Sequence, residues 1–83
     1  MKPHVKIYIK HFNLGMDDMW YCELCRHDYP INNGLDLHHI KYKSRGGGDE
    51  VENVICLCRK CHDLAHNEEI KPKLLQLAHN RNL

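Results

Sequence analysis

Cys58-Arg59-Lys60-Cys61-His62-Asp63-Leu64-Ala65-His66 is the stretch whose reading decides the fold. In a helix each residue advances about 100°, so Cys58 and Cys61 share one face while His62 and His66 share another, about a quarter turn away. One short helix can then serve two metal sites. The thiolates complete one with Cys22 and Cys25 of the upstream CxxC, and the imidazoles complete the other with His38 or His39.

Just before this stretch, Val54-Ile55-Cys56-Leu57 is short, apolar and β-branched, which reads as a strand. Leu35-Asp36-Leu37-His38-His39-Ile40 reads as a second strand, antiparallel to it, and Ser44-Arg45-Gly46-Gly47-Gly48-Asp49 between them is too rich in glycine to hold regular structure well. The order strand, loop, strand, helix makes this an α+β chain. Further upstream, residues 26–34 contain Pro30 and Asn33-Gly34 and read as a loop ending in a turn. Cys22-Glu23-Leu24-Cys25 reads as a zinc knuckle, entered through a short turn or helical piece at residues 16–20, with Trp20 and Tyr21 packed beside the thiolates. In residues 5–12 Val5, Ile7 and Ile9 alternate with polar neighbours, the period of a half-buried strand, with a helix as the alternative. Ile70, Leu74, Leu75, Leu77 and Ala78 predict a C-terminal helix over residues 71–79, with Pro72 in its first turn and its apolar stripe on the domain's own core.

The 83 residues leave room for one domain: a motif at 20–66, a supporting segment at 1–19 and a tail at 67–83. Domains this small bury a modest fraction of their surface, so a staple is expected. The five cysteines cannot all pair, and four of them form two CxxC motifs, so a structural zinc explains them better than disulfides or a redox dithiol, which needs only one pair. Cys56 is expected to be a small buried hydrophobe. The N-terminus carries charge before any apolar run, so no signal peptide or membrane span is expected and the location is taken as cytoplasmic.

His38 and His39 are neighbours, and in a strand neighbours face opposite sides, so they should do different work. One can join His62 and His66 around a divalent ion with open positions, and the other stays free as a base. Lys41, Lys43 and Arg45 form a basic run free of acids, with Arg59 and Lys60 starting the helix, and these five residues suit phosphate contacts. The net charge is only +1, which argues for modest affinity rather than a strong global field.

Taken together, Leu37-His38-His39-Ile40, Gly46-Gly47, Asn53 and Cys58-Arg59-Lys60-Cys61-His62 with His66 resemble the HNH endonuclease family, and Cys22/Cys25 belong to the same pattern. The resemblance implies a small zinc-stabilised ββα-metal (His-Me finger) fold and a catalytic divalent cation for phosphodiester hydrolysis. Carried over by position, it implies that His38, His62 and His66 hold that cation, His39 is the general base, Asn53 holds the loop and base in place, and Cys22, Cys25, Cys58 and Cys61 bind the structural Zn2+. Many members carry aspartate where His38 stands, and imidazole suits zinc, nickel or manganese better than magnesium, so Mg2+, Mn2+, Ni2+ and Zn2+ are all candidates. The implied partner is DNA, taken as double-stranded, with a second copy of the chain or a phage packaging or restriction component as further partners. The competing reading is a non-catalytic zinc module that binds nucleic acid or protein, which leaves the histidine pairs unexplained.

Overall fold

The structure, a computed structural model, describes residues 2–81. Its centre is a two-stranded antiparallel sheet, β3 (Leu35–His39) paired with β4 (Val54–Cys58) in the register Leu35↔Cys58 through His39↔Val54. The expected strand, loop, strand, helix order is present. Every residue of β4 is buried, which its unbroken apolar run Val54-Ile55-Cys56-Leu57 requires. Cys56 lies fully buried, and burial pushes its thiol pKa up, so it stays protonated as a small core residue.

The helix that follows is shorter than its sequence promises. Cys58 is the last residue of β4 and caps the helix in extended conformation, α2 spans only Arg59–Leu64, and His66 lies in the turn beyond. The two cysteines therefore do not share a helical face. The kink from strand into helix aims both at the same place instead.

The N-terminal segment is a helix, α1 (Pro3–Phe12), the alternative to the strand that its alternation implies. Proline in the first turn, Lys10 and His11 in the last, and Asn13 in the left-handed region at φ 55° mark its ends. The residues it buries are His4 and Tyr8, one turn apart, while Ile7 is 41% exposed. Its anchors are thus a histidine and a tyrosine, and the aliphatic alternation is incidental. A second hairpin, β1 (Met19–Tyr21) with β2 (Asp28–Pro30), brackets the first CxxC, where a turn and a loop were expected. Trp20 leans on Phe12 and donates from Nε1 to Tyr8 Oη at 3.0 Å, while Tyr29, not Trp20, borders the cysteines. The C-terminal helix α3 covers Lys71–His79, as the sequence predicts, and buries Leu74 and Ala78 against the core. No helix among the described residues is long and apolar enough to cross a membrane.

A buried ion pair ties these parts together. Glu23, inside the knuckle, accepts from Tyr8 Oη at 2.8 Å, Cys56 N at 2.7 Å, and Arg81 Nε and Nη2 at 2.6 and 3.0 Å. Arg81 also donates to the carbonyls of Val51 and Val54. Burial, and then the Glu23 charge, push the Tyr8 pKa up and keep its hydroxyl a donor.

Candidate metal centres and active site

The sulfurs of Cys22, Cys25, Cys58 and Cys61 lie within 4.8 Å of one another, and Cys25 and Cys58 Sγ are 3.8 Å apart. A tetrahedral zinc with Zn–S of about 2.3 Å needs sulfurs about 3.8 Å apart, so the donor set fits that ion, and none of the cysteines is in a disulfide. Burial opposes ionisation of Cys22, but backbone N–H donors from Cys25, Cys58 and Leu24 outweigh it and bring its pKa down to about 7. His27 Nδ1 adds a contact to Cys25 Sγ at 3.3 Å. The β1–β2 hairpin positions the first pair and the β4–α2 kink the second.

On the α2 side of the sheet, His38 is buried at 5% exposure, and its Nε2 is the buried side-chain polar atom left without a hydrogen-bond partner among the described residues. Burial, then the neighbouring His62, His66 and Lys71, push its pKa down to about 4, so the ring is neutral and keeps a lone pair to offer. Its ring centroid lies 5.1 Å from that of His62 and 6.0 Å from that of His66, and His62 and His66 are 5.3 Å apart. Three imidazoles on one tetrahedral ion at about 2.1 Å would have centroids about 5.3 Å apart, so the ring spacing suits a metal. Their nitrogens are more spread than the four sulfurs, since the three rings do not bring one nitrogen each within 4.8 Å of the others. His62 Nδ1 is 3.1 Å from Asp36 Oδ2, which Arg59 also grips at 3.0 Å, leaving Nε2 of His62 for an ion.

His39 turns to the other side of the sheet. Its Nε2 lies 2.8 Å from Asp49 Oδ1, whose second oxygen pairs with Lys43 Nζ at 3.1 Å. The His39 and Lys43 hydrogen bonds hold the Asp49 pKa below the usual carboxylate range. An ionised carboxylate only accepts, so Nε2 carries the proton and Nδ1 is the basic nitrogen. His4 of α1 stacks on His39 with centroids 4.1 Å apart.

The loop between the strands is organised by Asn53. Its Oδ1 accepts from Lys41 N at 2.8 Å, and its Nδ2 donates to the carbonyls of Lys41 and Gly48 at 3.0 and 2.9 Å. Gly47 fits beneath this clamp only because it lacks a side chain: a Cβ there would sit 1.9 Å from the Lys41 carbonyl oxygen. Lys43–Arg45 form one 3-10 turn, ended by Gly46 at φ 88°. Lys41, Lys43, Arg45, Arg59 and Lys60 are all exposed, with Lys43 and Arg59 engaged by Asp49 and Asp36.

Asp36, Asp49 and His4 join these sites without belonging to the motifs that the sequence displays. Strand period signals Asp36, which stands two residues before His38 and so on the same face. No such signal marks His4, because nothing in the sequence links α1 to His39.

The HNH endonuclease family matches residues 22–68. The chain is 31% identical over 80 residues to the Type IV methyl-directed restriction enzyme EcoKMcrA of Escherichia coli (strain K12), covering 90% of this chain and 27% of that enzyme. It is 30% identical over 54 residues to anaredoxin of Nostoc sp., covering 65% of this chain and 67% of that protein. The chain thus spans about a quarter of the restriction enzyme's length. No solved structure matches it.

Proposed function

This chain belongs to the HNH endonuclease family, and from that premise we propose that it is a metal-dependent endonuclease domain hydrolysing phosphodiester bonds in DNA. His38, His62 and His66 hold the catalytic ion, Asp36 fixes the ring of His62, and the four cysteines hold a structural zinc. The observation that carries this reading is the unpartnered Nε2 of His38, since a buried polar atom left without a partner costs about 1–3 kcal/mol and a metal ion removes that cost.

A divalent ion bound there supplies charge neutralisation at the scissile phosphate and the departing 3′ oxygen. His39 accepts a proton at Nδ1 from a water in line with the bond to be broken, and Asp49, on Nε2, stabilises the resulting imidazolium. Asn53 positions the loop that carries Asp49. Lys41, Lys43, Arg45, Arg59 and Lys60 hold flanking phosphates of double-stranded DNA without reading bases. A net charge of +1 gives modest affinity for DNA, which a second copy or a phage packaging or restriction partner in the cytoplasm would supplement.

Nicking of supercoiled plasmid in Mg2+, Mn2+, Ni2+ and Zn2+ tests the proposal. His39→Ala should keep the catalytic ion and lose about 100 to 10,000-fold in rate, whereas His38→Ala should lose ion and rate together. Folded, zinc-loaded protein that cuts no DNA in any of these ions would leave the non-catalytic zinc module as the reading.

A further inference from the structure

Another set of donors converges on the opposite side of the sheet from the proposed catalytic ion. A ring nitrogen of His4, a ring nitrogen of His39 and a carboxylate oxygen of Asp49 lie within 4.8 Å of one another, closer than the His38, His62 and His66 nitrogens come. The ligands arrive from three elements: the first turn of α1, the end of β3 and the glycine loop. His4 is built for the role. Its Nε2 is 3.2 Å from the Leu37 carbonyl oxygen, which can only accept, so Nε2 carries the proton and Nδ1 keeps its lone pair. A backbone carbonyl holding one nitrogen while the other is free is the arrangement found behind metal-bound histidines. His4 is 8% exposed, and burial followed by the neighbouring His39 lowers its pKa, which keeps it neutral. The contact competing for Asp49 is weak, because Lys43 is 59% exposed and exposed ion pairs are worth about 0–1 kcal/mol.

We propose that His4, His39 and Asp49 form a further divalent-cation site, selective for imidazole-preferring ions such as Zn2+ over Mg2+, and that filling it switches the nuclease off. Entry of the ion exchanges the His39–Asp49 hydrogen bond for coordination by both residues, and the ring proton of His39 moves to Nδ1. His39 then has no lone pair for water. The inhibitory half rests on the reading of His39 as the general base, whereas the cation site does not.

Two measurements separate these claims. In calorimetric Zn2+ titrations of protein already loaded at the cysteines, wild type should take up two further ions, and His4→Gln and His62→Ala one each. Asp49→Asn, at a half-exposed position, gives the same count as His4→Gln should that variant fold poorly. In Mn2+-supported plasmid nicking, His4→Gln should keep its activity and need at least about tenfold more Zn2+ for half-inhibition. If His4→Gln and Asp49→Asn both bind as many ions as wild type, the site is overturned; if they lose one but Zn2+ inhibition of His4→Gln is unmoved, the inhibitory role is overturned. Should wild type cut nothing while both variants lose one ion, the cation site stands and the nuclease reading falls.

Discussion

Replacing Asn53 by alanine isolates the clamp that shapes the loop. The side chain makes three hydrogen bonds, one accepted from Lys41 N and two donated to the Lys41 and Gly48 carbonyls. At about 1 ± 0.5 kcal/mol each, Asn53→Ala should cost about 2–4 kcal/mol. In a domain of this size each kcal/mol moves the melting temperature by roughly 4–8 °C, so circular dichroism at fixed zinc should show a drop of roughly 10–30 °C. Asn53→Asp sharpens the test. It keeps the acceptor for Lys41 N but puts a carboxylate oxygen where Nδ2 now meets two carbonyls at 3.0 and 2.9 Å, so at neutral pH it should be no more stable than Asn53→Ala. Those carbonyls raise the folded pKa of the introduced carboxyl above its unfolded value of about 3.9. The folded state then binds the proton more tightly, and the variant should regain stability as the pH falls and lose it as the pH rises through that folded pKa. An Asn53→Ala protein melting within about 3 °C of wild type, or an Asn53→Asp protein more stable than it at neutral pH, would refute the clamp.

Glu23→Gln strands the Arg81 guanidinium in a site where the two side chains are 4% and 6% exposed; it should cost about 3–5 kcal/mol, part of it recovered by adding Arg81→Met, as a denaturant double-mutant cycle would show. Cys25→Ser should abolish both the cooperative melt and stoichiometric zinc, since structural zinc contributes about 10–16 kcal/mol to small domains; a variant with wild-type melting and zinc content contradicts the four-cysteine site. Joint replacement of Lys41, Arg45 and Lys60 by alanine should lower the salt slope of DNA binding by about 3 and weaken all sequences alike, checked by fluorescence anisotropy across a salt series; loss confined to one sequence would place those residues on bases.

The parts of the fold legible in the sequence are those whose chemistry is periodic. The paired CxxC motifs, the apolar run of β4 and the stripe of α3 each announce a burial pattern, and the structure follows them. Helix α1 is hard to tell from a strand in the sequence because its core contacts are carried by polar tips: His4 bonds the Leu37 carbonyl and Tyr8 bonds Glu23. Glu23 looks like filler between two cysteines, and its partner Arg81 stands near the far end of the chain, so the buried pair is a product of tertiary structure alone. Spacing alone puts Cys58 in a helix, because it cannot tell a helical face from a strand-to-helix kink that delivers two sulfurs to the same point. Asp49 hides in the glycine loop, and only the path imposed by Asn53 brings it to His39.

The pairing of His38 with Ile55 and of His39 with Val54 makes strand phase a chemical variable. A slip of a single residue would send each imidazole to the opposite side of the sheet, because side chains alternate with a period of two. Cys58 stands opposite Leu35 at the far end of the same ladder while its sulfur sits 3.8 Å from that of Cys25, so an ion held by the cysteines pins β4 lengthwise as well as in place. A one-residue deletion inside β4 would therefore force a choice between keeping the thiolates together and keeping His38 on the side of α2. The loop before Asn53 lies outside that ladder, so a change in its length bears on the Asn53 clamp and on Asp49 and leaves strand phase untouched, whereas a change between Val54 and Cys58 should be rejected.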